Sequence, residues 1–510
     1  MKIKLSHYLP GVVLFIIAVI IGLAVYADYG MSWDEPFQRH LGQMSWDYIF
    51  NGSHELLTAP DRNYGSGFEL VLMFFEKGLK LSDTREIYLM RHLVNHLLFL
   101  VSCFFVYVLA LRLFQNRFLA CLGMLLLLTT PRLYAHSFFN SKDIPALSLF
   151  IITITVAQAA FDKNRPFLFF VVGLLCGFTT SIRIVGITLC LIIVMFHVVD
   201  LVLAAKRKEA VSKHSLLLFL FVCGFCLSLV AFWPYLWQAP VARFAESYRE
   251  MTHYGWAGNV LFNGTFVSSA SLPWSYVPVW FGITLPVLWL AAGMGGIIWL
   301  VVNAIMLPSH FLQNNKDRFF ILLLISFAGP IAAVILFHSV VYDDWRHLYF
   351  VYPSFVLLGL YCINKLWQTK IKTVVVGLCL LQLGGVVYFM VGNHPFQQVY
   401  FNELVSHDKE YLQDNYEMDY WGCAFKQGLE HILATDNRDT IKMAWAVNPL
   451  PNNIMMLPAK DRTRIQMIDG KADYLITNFR DMAHGKYTEL TPYYTISVLN
   501  SKIMCIYKLQ

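Results

Sequence analysis

Apolar runs alternate with short polar loops from residue 9 to residue 392, and beyond that point the alternation stops. Runs long enough to cross a bilayer core fall near 9–27, 88–111, 118–135, 144–161, 166–181, 184–204, 215–237, 276–306, 319–340, 347–364 and 373–392, about eleven in all. The first, Leu9 to Ala27, carries no charge and is about 28 Å long at ~1.5 Å per helical residue. Thr179-Thr180-Ser181-Ile182-Arg183 interrupts the stretch 166–204, which therefore reads as a hairpin of two short helices. Between the first two runs, Phe37, Leu41, Met44 and Tyr48 recur at the spacing of an amphipathic helix, and Phe68 to Leu81 is apolar but too short to span. Both segments suit either the interfacial plane or packing on the bundle. After about residue 393 the pattern is that of a small α/β domain. It predicts a helix over Cys423–Ala434, strands over Thr440–Val447 and Ala472–Thr477, and a hairpin of Tyr494–Val498 with Ile503–Leu509 through Asn500-Ser501. The expected fold is mainly α: a polytopic membrane bundle over 1–392, with interfacial helices in its first outer loop at 28–87, and a small soluble α/β domain over 393–510.

Composition strengthens this picture. Of 510 residues, 57% are hydrophobic and only 14% charged, against roughly 25% charged in soluble proteins. The net charge of +6 does not point to nucleic acid, because the basic residues sit in short loops between apolar runs. Cys423 and Cys505 could pair within the tail domain; the other eight cysteines lie in apolar runs as small core residues. Lys2 and Lys4 precede the first run, but no small-residue cleavage site follows, so it reads as an uncleaved helix.

The loops also set an orientation. With a cytoplasmic N-terminus, one side receives Lys2, Lys4, Arg112, Arg117, Lys163, Arg165, Lys206, Arg207, Lys208, Lys213, Lys316, Arg318, Lys365, Lys370 and Lys372, a positive-inside pattern. The other side receives Asp34-Glu35, Lys142-Asp143, Arg183, the loop 238–275, Asp343-Asp344-Trp345-Arg346 and the tail domain. The acidic pairs gather on the outer face. This predicts an integral protein of a plasma membrane, the bacterial inner membrane, with site and tail extracytoplasmic.

Adjacent carboxylates at a lipid–water boundary cost free energy unless something uses them. Asp34 or Glu35 alone would suffice to cap a helix beginning at Pro36; a general base needs a carboxylate in reach of an incoming hydroxyl or amine. Asp143, two residues before Pro145, either caps a helix or joins Asp34 in binding acceptor, donor hydroxyl or a divalent cation. Arg183 and Arg346 are the cations best suited to phosphate, which a guanidinium binds bidentately without losing charge. His347 and Arg91 are further phosphate candidates, and His92, Arg132 and Lys142 lie at similar depth, where snorkelling is the ordinary role. Around the loop 238–275, His253, Trp256, Trp274 and Tyr276 serve either the aromatic belt or sugar stacking. A transporter or flippase of lipid-linked saccharide is the alternative class, but it expects charges within the spans, whose middles are nearly all apolar.

Several short motifs, all on the outer face, resemble the bacterial members of the dolichyl-phosphate-mannose–protein mannosyltransferase superfamily, the GT-C glycosyltransferases that include the aminoarabinose transferases. They are Trp33-Asp34-Glu35, Ser141-Lys142-Asp143-Ile144-Pro145, Ser181-Ile182-Arg183-Ile184-Val185-Gly186, Leu272-Pro273-Trp274-Ser275-Tyr276-Val277-Pro278, Ile283-Thr284-Leu285-Pro286, Trp345-Arg346-His347-Leu348-Tyr349-Phe350, Tyr400-Phe401-Asn402 and Asp419-Tyr420-Trp421-Gly422. The resemblance implies a hexosyl- or pentosyltransferase using a polyprenyl-phosphate sugar, with Asp34 as catalytic base and Asp143 lining the site. The acceptor class, whether glycan, lipid or protein, is left open, as is a divalent cation on Asp34 and Asp143.

Overall fold

The computed structural model describes residues 4–206, 208, 211–252, 255–256, 258–308, 314–480, 487 and 489–509; His253 lies outside the described residues. Among them, eight helices are long and apolar enough to cross a membrane: Thr84–Phe114, Asp143–Lys163, Ile184–Lys206, Val211–Ala231, Val287–Met306, Lys316–Leu336, Arg346–Trp367 and Lys372–Gly392. The pair Arg117–Leu128 and Pro131–Phe139, bent by 61°, forms a ninth if taken as one span, and Leu9–Val25 and Pro166–Ile182 are shorter apolar helices. The protein is an integral membrane protein, with eight or nine such spans and two shorter apolar helices among the described residues against the eleven runs read from the sequence.

Two expected spans are broken for local reasons. The run 118–135 kinks ahead of Pro131, which cannot extend the preceding helix; the Thr129 and Thr130 hydroxyls donate to the carbonyls of Leu125 and Leu126 at 2.7 Å. The run 276–306 is two helices, Tyr276–Thr284 and Val287–Met306, because Leu285 and Pro286 are extended between them. The hairpin read at 166–204 is present, with Arg183 extended at its turn.

Asp143–Lys163 and Arg346–Trp367 are the innermost helices, each with 89% of its apolar window buried, against 17% for Lys372–Gly392. Helices approach closely where side chains are absent. A Cβ on Gly173 or Gly177 would stand 2.1 and 2.4 Å from the carbonyl oxygens of Phe221 and Phe225, so helices Pro166–Ile182 and Val211–Ala231 pack backbone to backbone.

In the loop 28–87, helix Glu35–Phe50 lies on helix Gly67–Gly78, tied by a two-bonded Arg39–Glu76 pair at 2.7 and 3.0 Å. Leu41 and Met44 pack against Trp233, Tyr235 and Leu236, and Phe68 and Leu72 against Leu149 and Ile152. Packing on the bundle thus accounts for these positions, whereas Phe37, Phe50, Phe74 and Phe75 of the same two helices are exposed. A hairpin of β1 (Asn259–Phe262) and β2 (Thr265–Ser268), not expected from the sequence, lies within the loop 238–275.

The tail carries the predicted strands as β3 (Ile441–Trp445), β5 (Tyr474–Thr477), β6 (Pro492–Val498) and β7 (Ser501–Lys508), plus a short β4 (Ile465–Met467). Their order is β4-β3-β5-β7-β6; β3 pairs in parallel with β4 and β5, and β7 antiparallel with β5 and β6. Helix Phe425–Thr435 buries Leu429 and Ile432, whose cluster includes Ile476 and Met504. Cys423 and Cys505 are both free and buried.

Candidate active site

Four elements far apart in sequence bring their ends to one place. Asp34 closes the segment after the first apolar helix and precedes helix Glu35–Phe50. Asp143 opens the innermost helix Asp143–Lys163, Arg183 sits at the turn of the 166–206 hairpin, and Arg346 opens the other innermost helix. Burying an unpaired guanidinium is costly, so each finds carboxylates.

Arg346, only 2% exposed, directs Nη2 to Asp343 at 3.1 Å, while Nη1 faces Asp143 at 3.5 Å and Asp34 at 3.8 Å. Its guanidinium lies between the rings of Tyr342 and Trp421, 4.9 and 4.7 Å from their centroids. Arg183 pairs with Asp143. Asn140 holds that corner, donating from Nδ2 to Asp143 Oδ2 at 2.9 Å and accepting the Asp143 backbone N–H at 2.9 Å. Lys142 is half-buried and rests over the Tyr64 ring at 4.0 Å. Burial, then repulsion from Arg183, lowers its ammonium to about 8, against the pull of Asp34 and Asp143.

Asp34 differs from its neighbours. Its side chain is 33% exposed, against 1% for Asp143, and makes no capping hydrogen bond to the helix that follows. Capping therefore does not explain it. Glu35 faces the other way: buried, it accepts the Ser32 N–H at 2.8 Å and pairs with His92 at 2.9 Å. Arg91 is likewise buried, held by Glu69, which also accepts the Ser141 hydroxyl at 2.6 Å. The structure thus brings Asp34, Asp143, Arg183, Arg346 and Lys142 together, and turns Glu35 and Arg91 into the wall behind them. His347 stands at the rim, its ring edge-on to Tyr342 at 4.7 Å; Trp256 stacks on the same tyrosine at 4.2 Å. Trp274 is 72% exposed and Tyr276 buried, so among the described aromatics foreseen Trp256 is the one that stacks at the site's edge.

Beside Arg346, Asp344 is a fully buried hub, accepting from Arg132 at 3.1 Å, Tyr349 at 3.0 Å and Tyr420 at 2.7 Å. Burial raises its carboxyl to about 6 in spite of these partners. A divalent cation would need several converging oxygen ligands. Among the described residues no three His, Cys, Asp or Glu side chains converge in that way, and Arg346 stands between Asp34 and Asp143. This arrangement does not fit a metal site.

Sequence reasoning missed what the tail domain does here. Asn453 grips Met31, its Oδ1 accepting the Met31 N–H at 2.9 Å and its Nδ2 donating to the Met31 carbonyl at 3.1 Å. Asn452 donates to the Ser32 carbonyl at 3.0 Å, Gln427 to that of Asp28 at 2.6 Å, and Tyr29 donates to Gln397 at 2.9 Å. Gly30 allows this approach, since a Cβ there would lie 2.1 Å from the Cys423 carbonyl oxygen. Arg480 reaches the site itself, donating to Asp343 at 2.8 Å and lying 5.6 Å over Trp33. Asn and Arg in a soluble-looking stretch carry no signal of these long-range partners.

Residues 79–236 match the family model for dolichyl-phosphate-mannose-protein mannosyltransferase. No curated protein matches the chain by sequence search. Among solved structures, ArnT from Cupriavidus metallidurans in the apo state is similar at 12% identity and TM-score 0.51, with 97% of each chain covered. The apo oligosaccharyltransferase of Archaeoglobus fulgidus is similar at 10% identity and TM-score 0.53, with 89% of this chain covered but only 64% of that one. The archaeal AglB from the same organism, in complex with an inhibitory peptide and a dolichol-phosphate, gives 10% identity and TM-score 0.50 over the same shares. Residues 79–236 are thus similar to the dolichyl-phosphate-mannose-protein mannosyltransferase family, and the fold along the whole chain is similar to that of ArnT.

Proposed function

We propose that this protein moves a sugar from a polyprenyl-phosphate donor to an acceptor hydroxyl or amine on the outer face of the plasma membrane, with Asp34 as general base and inversion at the anomeric carbon. The carrying observation is the division of labour inside one cluster. Arg346, Arg183 and Lys142 concentrate positive charge, while Asp34 is its most exposed carboxylate and is free of a capping bond. The dolichol-phosphate of the archaeal neighbour supports a lipid-borne donor.

The chemistry balances without a general acid. The acceptor oxygen or nitrogen forms a bond to the anomeric carbon as its proton passes to Asp34. The bond from that carbon to the phosphate oxygen breaks on the opposite face, and the electron pair leaves with the phosphate. The guanidiniums of Arg346 and Arg183 and the Lys142 ammonium, fixed beforehand, stabilise the charge that develops there. Asp143 orients both arginines. Trp256 offers a flat apolar face to a sugar at the rim.

Asp34→Asn is the direct test. Purified protein should bind undecaprenyl phosphate at least as tightly as wild type, since a negative charge has left the cluster, yet lose turnover by at least a hundredfold, the scale of general-base catalysis. Full turnover of the variant would overturn Asp34 as base. No observation favours the transporter reading.

A further inference from the structure

We infer that Arg480, from the tail domain, is a positioning residue for Arg346: it shares Asp343, so that Arg346 keeps one nitrogen and a net positive charge for the donor phosphate. The inference rests on the phosphate role proposed above for Arg346. Asp343 is buried, and each of its oxygens has a guanidinium of its own. Oδ1 accepts from Arg480 Nη2 at 2.8 Å, and Oδ2 from Arg346 Nη2 at 3.1 Å. Arg480 is itself anchored, its Nη1 donating to the Tyr420 carbonyl at 2.6 Å and its plane lying over Trp33, the residue before Asp34.

The geometry this imposes on Arg346 is specific. Its Nη2 is committed to Asp343, whereas Nη1 points between Asp34 and Asp143 at distances too long for strong hydrogen bonds, 3.8 and 3.5 Å. That is the direction from which a phosphate oxygen would be received. Asp343 and Asp344 both adopt left-handed backbone, at φ +57° and +62°, a conformation uncommon for residues other than glycine. Such a turn persists only where its surroundings over-determine it. Arg480 and Arg346 on Asp343, with Arg132, Tyr349 and Tyr420 on Asp344, do so.

Charge makes the same case. Counted over these seven described side chains, Arg346, Arg183, Lys142 and Arg480 oppose Asp34, Asp143 and Asp343 with one net positive charge. Without Arg480 the count is zero, and Asp343 falls wholly to Arg346. An anion then meets a neutral site whose best cation is already paired.

The test measures undecaprenyl phosphate binding by full-length protein in detergent or nanodiscs for Arg480→Gln, Arg480→Lys, Arg480→Gln with Asp343→Asn, and Arg346→Gln. Arg480→Gln should weaken binding on the order of tenfold, the scale of one charge acting across a partly shielded site. Arg480→Lys should recover much of it. Adding Asp343→Asn to Arg480→Gln should restore binding to within about threefold by returning the charge count to its original value. A merely structural arginine would show no such rescue. Wild-type binding by Arg480→Gln, or failure of both rescues, overturns the inference while the phosphate role stands on the loss in Arg346→Gln. Wild-type binding by Arg346→Gln overturns that role and this inference with it.

Discussion

Lys142 is the site cation whose charge can be switched off in an accessible pH range. Burial and the neighbouring Arg183 bring its ammonium to about 8, so it is charged below that pH and neutral above it. The attraction it offers an anion is therefore present below about pH 8 and lost as pH rises through it. The second ionisation of a phosphate monoester is complete by about pH 7 and does not interfere above that point. Undecaprenyl phosphate affinity should fall between pH 7.5 and pH 9.5, measured as Kd at fixed ionic strength, by several-fold. Lys142→Arg should flatten the profile, since a guanidinium stays charged throughout; an unchanged slope would remove Lys142 from the phosphate site. At this scale the sequence was informative where a charge ends an apolar run: Asp34, Asp143, Arg183 and Arg346 were all legible from span ends and loop charge. Glu35 and Arg91 show the limit. Both stand at the right depth, but their partners His92 and Glu69 are 57 and 22 residues away, and only the fold shows that these pairs close inward.

Among elements, the non-helical segment 28–33 beside the site is gripped by Asn453, Asn452, Gln427 and Gln397. Asn453→Ala leaves the Met31 N–H and carbonyl buried without partners, which costs about 2–4 kcal/mol. A lowered unfolding temperature in detergent would register this. The functional cost is separate: shifting Asp34 by about 1 Å should reduce turnover on the order of a hundredfold. Gly30→Ala acts on the same contact from the other side, since its Cβ would meet the Cys423 carbonyl oxygen and Asn453 Oδ1. It should reproduce the turnover loss while undecaprenyl phosphate binding, which depends on the cations, changes little. Equal losses of binding and turnover would mean that the tail supports the whole site rather than the Asp34 segment. The helices and strands themselves were readable, because hydrophobic periodicity is local. The breaks at Thr129–Pro131 and Leu285–Pro286 were not, since each lies inside a run whose hydropathy continues across it.

Across the whole molecule, charge is sorted to two ends. Helix Asp143–Lys163 begins in the site cluster and ends beside Asp162 and Asn164, about 30 Å away at ~1.5 Å per residue, a bilayer core's thickness. At that far end Arg112, Asp162, Asn164, Asp200, His214, Lys316 and Arg318 line a cavity of about 260 Å³, with Arg318 paired to Asp200. The loops there are the basic ones, and the proposed orientation, taken from the positive-inside bias, puts that end in the cytoplasm and the cluster with its tail domain outside. A donor reaching the cluster from outside cannot be a cytoplasmic nucleotide sugar, which is why orientation bears directly on the proposed substrate. Single cysteines report it in a background where the exposed Cys226 is replaced. In intact cells a membrane-impermeant thiol reagent should label Lys460→Cys, on the exposed tail surface, and leave Lys370→Cys unlabelled until the membrane is opened. The reverse pattern would put Asp34 and Arg346 in the cytoplasm. There a nucleotide sugar is at hand, and the cations of the cluster would serve its diphosphate as readily as a lipid phosphate.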